Sequence, residues 1–384
     1  MSSNKNMKKV MIVAGEASGD LHGSNLIKAV NKIEANISFY GVGGKKIEEA
    51  GAEILIDSAE LAVVGISEVI PNAGKILGAL ALLKKRLSQD NPSLLILIDF
   101  PDFNLMLAKH AKKVGVPVLY YISPQVWAWR KGRVNKIAQR VDRMAVVFPF
   151  EVPLYEKVGL HTLFVGHPLI DAVAVSKSVA DIKKGFSINA DKKVIGLLPG
   201  SRSKEIKSLL PAMLESAEIM ASRSPEFTFV LPLAHTVKRE LIDEILPLYN
   251  VDVKVVDGMT YDIMKISDMA FIASGTATLE AAILGTPMVV IYKVSTSSYY
   301  LVKFLASAKF IALPNIVAEK EIIPELIQDE ANPGRMVEEA FNILFGKGTS
   351  ERMKADLNEV REKLGGAGAS RRTAELVVEM VDGQ

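Results

Sequence analysis

At 384 residues, with 49% hydrophobic and 23% charged side chains, the chain has globular composition and exceeds what one hydrophobic core usually serves. Two domains are expected, and a formal net charge of +2 without a long Lys/Arg run argues against a nucleic-acid partner. The absence of cysteine removes disulfides, thiolate metal sites and thiol nucleophiles, and fits a reducing cytoplasm.

The first residues lead straight into a strand at Lys9–Ala14, with no secretory apolar block ahead of it. Further strands are predicted at Ile37–Tyr40, Leu94–Ile98, Val116–Ile122, Arg143–Val147 and Leu163–Val165, with helical patterns between them. Several are apolar with little alternation, as in a parallel sheet covered by helices on both faces. The apolar region Leu61–Leu83 is broken by Glu68, Pro71, Asn72 and Lys75 and does not read as a membrane span. After a polar stretch, Asp171–Lys193, strands resume at Val194–Leu198, Phe227–Leu231, Val253–Val256, Met269–Ala273 and Met288–Tyr292. Two sets of strand–helix units imply an α/β fold of two doubly wound, Rossmann-like domains. The expected division is a domain over 1–170, a linker over 171–193 and a domain over 194–345. A helical tail over 346–384, broken at Gly365–Gly368, packs back on the core. Ligand is expected in the cleft between the two domains.

Chemistry is sought where strands end. The first strand runs into Gly15–Ser24, whose glycines permit tight turns; Ser18 or Asp20 can cap the next helix, while Glu16 has no capping duty. The spacing is not that of a dinucleotide fingerprint. Asp99 follows the apolar run LLILI and stands at a strand's carboxyl end, where it can take a proton from a substrate hydroxyl. Pro101 fixes the turn, and Asp102 or Asn104 can cap the following helix. The segment Ser123–Arg133 holds both tryptophans, Trp127 and Trp129. It serves either as a packing corner or as an apolar wall flanked by the phosphate-binding candidates Arg130 and Arg133.

The second half opens with a strand, the turn Pro199-Gly200-Ser201-Arg202 and a helix start. Free backbone N–H groups and the positive helix end converge at such a turn, and Arg202 adds a fixed charge, an arrangement suited to a pyrophosphate without metal. A second turn, Ser274-Gly275-Thr276-Ala277-Thr278, repeats the logic, with Glu280 placed to reach a ribose diol. Two such turns in one domain point to a nucleoside diphosphate. No metal is expected, because His22, His110, His161, His167 and His235 never fall at ligand spacing and no D-x-D motif occurs. A G-x-S-x-G elbow is also absent, which leaves serine-hydrolase chemistry without support.

The blocks GEASGD (15–20), DFPDFN (99–104), SPQVWAWR (123–130), VGHPLID (165–171), LLPGSR (197–202), SGTATLE (274–280) and LPNI (313–316) together resemble the lipid-A-disaccharide synthase family. They follow in matching order across about the whole chain. The resemblance implies a metal-independent, cofactor-free inverting glycosyltransferase of GT-B architecture. Such an enzyme joins UDP-2,3-diacylglucosamine to 2,3-diacylglucosamine 1-phosphate through a β-1,6 linkage and releases UDP. It further implies Asp99 as the base on the acceptor's 6-hydroxyl, Glu16 as a further essential acid, and Arg202 and Asn315 as UDP contacts. Gly200, Ser201, Ser274, Gly275, Thr276, Ala277, Thr278 and Glu280 complete the donor set, and Ser18, Asp20, Trp127 and Arg130 are acceptor-side candidates. Phe100 departs from the family's pattern, where small residues are common, and alters the rim beside Asp99.

Acylated substrates imply a cytoplasmic enzyme bound peripherally to the anionic inner face of the inner membrane. The segment Ala73–Leu87 carries an apolar stripe through Ile76, Leu77, Leu80, Leu83 and Leu87 and ends in Lys84-Lys85-Arg86. It reads either as a helix packed on the sheet or as a surface-inserting one. Tyr299–Phe310 is a second candidate, and the family's C-terminal exchange between subunits puts a homodimer among the expectations. Two rivals remain: a UDP-sugar epimerase, which has no use for the Asp99 cluster and the apolar helix, and a silent nucleotide-sugar sensor, which has no need of both Asp99 and Arg202.

Overall fold

The computed structural model describes residues 7–62, 69–127, 132–293 and 309–383. They form two compact units, one of Met1–Asp171 with Leu364–Gln384 and the other of Ala172–Lys363. The first contains a parallel sheet of β1 (Lys8–Ala14), β2 (Ile37–Gly43), β3 (Glu53–Asp57), β4 (Leu94–Ile98), β5 (Val118–Tyr121), β6 (Arg143–Val146) and β7 (Thr162–Phe164). Their spatial order is β3-β2-β1-β4-β5-β6-β7. The chain therefore winds outward from β1 to β3, returns to the other side of β1, and leaves a switch point at the β1/β4 pair, where Ala14 is level with Ile98. Every side chain of β4 is fully buried, as are Val10–Ala14 of β1, which is why these runs read as unbroken apolar stretches.

The second unit repeats the plan with β8 (Lys193–Leu198), β9 (Phe227–Leu233), β10 (Val253–Asp257), β11 (Met269–Ala273), β12 (Met288–Tyr292) and β13 (Glu325–Ile327). Their order is β10-β9-β8-β11-β12-β13, and the switch point at β8/β11 sets Leu198 level with Ile272. Two edge strands escape sequence reading. β3 is half-buried with acidic ends, and β13 spans three residues, so neither shows the apolar run of a central strand.

Two features differ from the expected division. The stretch 171–193 is no free linker: it contains the helix Val179–Gly185, capped by Ser178, whose Ile182 joins Ile188, Val194 and Val230 in a core cluster. The tail 346–384 is split, with the helix Thr349–Lys363 in the second unit and Ala369–Asp382 in the first. Asp171 accepts from the backbone of Gly368 (2.8 Å) and Ala369 (3.3 Å), and Arg372 donates to the carbonyls of Val165, Gly366 and Ala367. The last helix then lies along the helix Ala17–Ile33.

The candidate membrane stripe is divided by the helix Val69–Asp90. Leu80, Leu83 and Leu87 are buried in the core and Ile76 packs against it, which satisfies the inward reading for them. Leu77 and Leu82 face outward, at 62% and 41% exposure. No helix among the described residues is long and apolar enough to cross a membrane. Of the second candidate, residues 299–308 lie outside the described residues.

Asp20 does not cap its own helix. Its carboxylate accepts from the backbone N–H groups of Gly44 (2.7 Å), Lys46 (3.1 Å) and Ile47 (3.1 Å), and so caps the helix Lys45–Glu49 from across the sheet edge. Asp20→Ala leaves three donors without their acceptor and is expected to cost about 2 kcal/mol of stability. Urea unfolding checks this; an unchanged midpoint contradicts the capping role.

Candidate active site

The β1/β4 switch point carries two acids. Glu16 lies just past β1 as the exposed N-cap of Ala17–Ile33, where its side chain makes no capping bond. Asp99 lies one residue past β4, on a turn where both Asp99 (φ 47) and Phe100 (φ 48) are left-handed. Two such residues in succession cost about 1–3 kcal/mol each, a strain that persists only where the surroundings over-determine it. Tyr120 Oη donates to the Asp99 carbonyl at 2.6 Å and Asn104 Nδ2 to the same oxygen at 2.7 Å. The Phe100 ring lies so close over Gly15 that a Cβ there would collide with it, which shows how this residue reshapes the rim. Burial pushes the Asp99 carboxyl up to about 6, with the charge of Glu16 adding to the effect. Asp99 is thus ionised near neutral pH yet retains the basicity a proton acceptor needs.

The remaining candidates of this unit divide. Ser18 is exposed beside Glu16, whereas Asp20 is committed to its cap. Asp102 forms no cap; it pairs with Arg133 at 2.6 Å, so that guanidinium is already engaged. Trp127 is half-buried and meets the rings of Phe150 and Phe148 edge-on, at 5.4 and 6.4 Å. Arg130 lies outside the described residues. The sequence offered no signal for Glu151, which is wholly buried, accepts from Phe148 N (3.2 Å) and is pushed by burial up to about 8. Burial pushes His167 down to about 3 and His22 down to about 4, so both imidazoles are neutral at pH 7. Leu169 N donates to His167 Nδ1 at 3.2 Å, which leaves the ring proton on Nε2.

At the β8/β11 switch point a cavity of about 700 Å³ opens in the second unit. Gly200, Ser201, Arg202, Ser274, Gly275, Thr276, Ala277 and Glu280 line it. Thr278 does not: it is fully buried and donates to the Gly275 carbonyl at 2.8 Å, closing the turn. Asn315 is also buried, with Oδ1 accepting from Ile322 and Ile323 N and Nδ2 donating to the Ile323 carbonyl and Glu325. Its bonding capacity is used inside its own loop, away from this lining. The turn amides are not free either. Glu205 accepts from Ser201 N (3.1 Å) and Arg202 N (3.3 Å) and pairs with Arg202 Nη1 at 2.7 Å, the capping box of the helix Ser203–Arg223. Glu280 accepts from Tyr261 Oη at 3.1 Å, and burial raises its pKa. Sequence reading missed His235, Met259, Thr260 and Tyr261 in the lining. Their one local signal is Gly258, left-handed together with Met259 after β10.

Two doubly wound units, each with its chemistry at a switch point, define the GT-B class shared by glycosyltransferases and UDP-sugar epimerases. The calicheamicin glycosyltransferase CalG4 superposes with a TM-score of 0.64 at 13% identity, covering 98% of each chain. The UDP-GlcNAc 2-epimerase of Neisseria meningitidis, solved with UDP-GlcNAc, gives 0.60 at 14%, covering 98% of this chain and 100% of its own. Likeness at these identities speaks to the fold alone. The chain belongs to the lipid-A-disaccharide synthetase family, whose model matches residues 10–380. The lipid-A-disaccharide synthase of Geobacter metallireducens is 50% identical over 374 residues, 97% of each chain. The protein is therefore a glycosyltransferase of lipid A biosynthesis, and the epimerase reading keeps only distant structural likeness.

A carboxyl raised from 3.8 to about 6 favours folding while protonated, and that contribution is lost as pH rises through about 6. Asp99→Asn is accordingly expected to stabilise the protein at pH 8 by about 2–3 kcal/mol and to gain little at pH 4. Thermal unfolding at the two pH values checks this; an equal effect at both contradicts it.

Proposed function

We propose that the protein transfers the diacylglucosamine of UDP-2,3-diacylglucosamine to the 6-hydroxyl of 2,3-diacylglucosamine 1-phosphate. Asp99 accepts the hydroxyl proton, the freed oxygen attacks the anomeric carbon from the face opposite the diphosphate, and the bond to UDP breaks with inversion. The observation that carries the reading is Asp99 itself: a part-buried carboxyl, raised to about 6, held at a strand end beside Glu16. On the donor side, the Gly200–Arg202 and Ser274–Ala277 turns supply amides and a guanidinium for the diphosphate charge, and Glu280 takes the ribose hydroxyls. Arg202, 80% exposed, reaches the diphosphate by leaving Glu205. Glu16 serves this site by holding the Asp99 proton affinity high. Among the described residues, no three His, Asp or Glu side chains gather as a metal site would require.

The same proposal places the enzyme on the cytoplasmic face of the inner membrane as a peripheral protein. Leu77 and Leu82, one on either flank of the outward face of the helix Val69–Asp90, are exposed together with Lys75 and Lys85, so that face offers both apolar side chains and cations to anionic lipid. A homodimer belongs to the proposal as well.

Incubation with both substrates is expected to yield the disaccharide 1-phosphate and UDP by mass spectrometry, and no disaccharide would overturn the reading. Turnover is expected to rise with pH through about 6, as Asp99 ionises. Asp99→Asn is expected to lose about 10²–10⁴-fold in kcat with UDP affinity unchanged. A variant of near-normal activity removes Asp99 from its role.

A further inference from the structure

We infer that Tyr120 and Asn104 are positioning residues that lock the Asp99 carboxylate in its reacting orientation by clamping the Asp99 carbonyl from two sides. The inference rests on the reading of Asp99 as the base, and it reaches two side chains that never touch substrate. Left-handed backbone at two consecutive L-residues does not hold itself: relaxed to the extended or right-handed region, the turn would swing the Asp99 side chain away from its place beside Glu16. The Asp99 carbonyl is the handle that prevents this. From the neighbouring strand β5, Tyr120 Oη reaches it at 2.6 Å; from the first turn of the helix Pro101–Val114, Asn104 Nδ2 reaches it at 2.7 Å and the Ile98 carbonyl at 3.3 Å.

Both clamping side chains are fully buried, and the bonds they make to the Asp99 carbonyl are part-buried. Burial holds the Tyr120 phenol far above its ordinary range, so its proton stays available for donation at any pH the enzyme meets. Asn104 Oδ1 finds no donor among the described residues. A buried polar oxygen without a partner is unfavourable, and the side chain is kept for the amide hydrogens at its other branch. Asn104 is the fourth residue of its helix, and its amide donates backward to the end of β4 and the turn that follows it. Among the described residues, the ionisable groups coupled to Asp99 are Glu16 from the end of β1 and Tyr120 from β5; Asp102, paired with Arg133, is coupled to Tyr120.

The test uses Tyr120→Phe, which removes one oxygen and keeps the ring. Its kcat is expected to fall about 10- to 100-fold, as for an ångström-scale misplacement of a reacting group. KM for both substrates should stay within about twofold. The titration midpoint of Asp99, read by ¹³C NMR of carboxyl-labelled aspartate in the free enzyme, is expected to drop toward the ordinary carboxylate range as the side chain turns to solvent. In Asp99→Asn, adding Tyr120→Phe should slow turnover no further, because the clamp acts only through that carboxylate. An unmoved Asp99 titration overturns the inference whether or not activity falls, and so does a multiplied loss in the double variant. If Tyr120→Phe does not fold, Asn104→Ala gives the same readouts. Should Asp99→Asn remain active while Tyr120→Phe shifts the Asp99 titration, the clamp stands and the base assignment falls.

Discussion

A parallel sheet ends every strand on the same side, and where the winding direction reverses, two neighbouring strands send their helices to opposite faces. The loops after that pair are pushed apart and cannot cover one another. Both units are built around this constraint, β1 with β4 and β8 with β11. The first fills its gap with carboxylates at Glu16 and Asp99; the second fills its gap with glycine turns and amide dipoles at Gly200–Arg202 and Ser274–Ala277. One architecture, used twice, presents opposite polarity.

Each gap carries a stability cost that the rest of its unit offsets. In the first, a strained turn and a part-buried charge coexist beside a sheet whose central strands are completely enclosed. In the second, Glu205 occupies the amides and the guanidinium that an incoming phosphate would use. Under the proposed reading, anion entry there would be an exchange of partners, with a smaller net gain than for bare amides.

Much of this was legible from residues alone. The acid after LLILI and the glycine turns after VIGLL and AFIA are strand-end signals that depend only on neighbouring residues, and they lead to Asp99, Gly200–Arg202 and Ser274–Ala277. What could not be read depends on partners far along the chain. Asp20 accepts from residues 24 to 27 positions away, so its helix-start pattern misled. Asn315 sits in a motif of the family, yet its bonds turn inward to Glu325 and Ile323. His235, Met259 and Tyr261 join the cavity because β9 lies beside β8 and β10 beside β9, an adjacency no local pattern encodes. Helical periodicity found the stripe of Val69–Asp90 correctly but could not say that Leu77 falls outside the buried arc while Leu80 and Leu83 fall within it.

The last helix, Ala369–Asp382, belongs to the first unit, so the whole second unit is an insertion in the sequence of the first. Its apolar residues Leu376, Val377 and Val381 are buried, as are Leu26, Ile27 and Val30 of the helix it lies along. On the ribosome, the first unit must wait for that helix while the inserted residues are made, roughly 10–40 s at about 5–20 residues per second. Throughout that interval a greasy flank of the nascent domain stands open, a natural landing place for a chaperone.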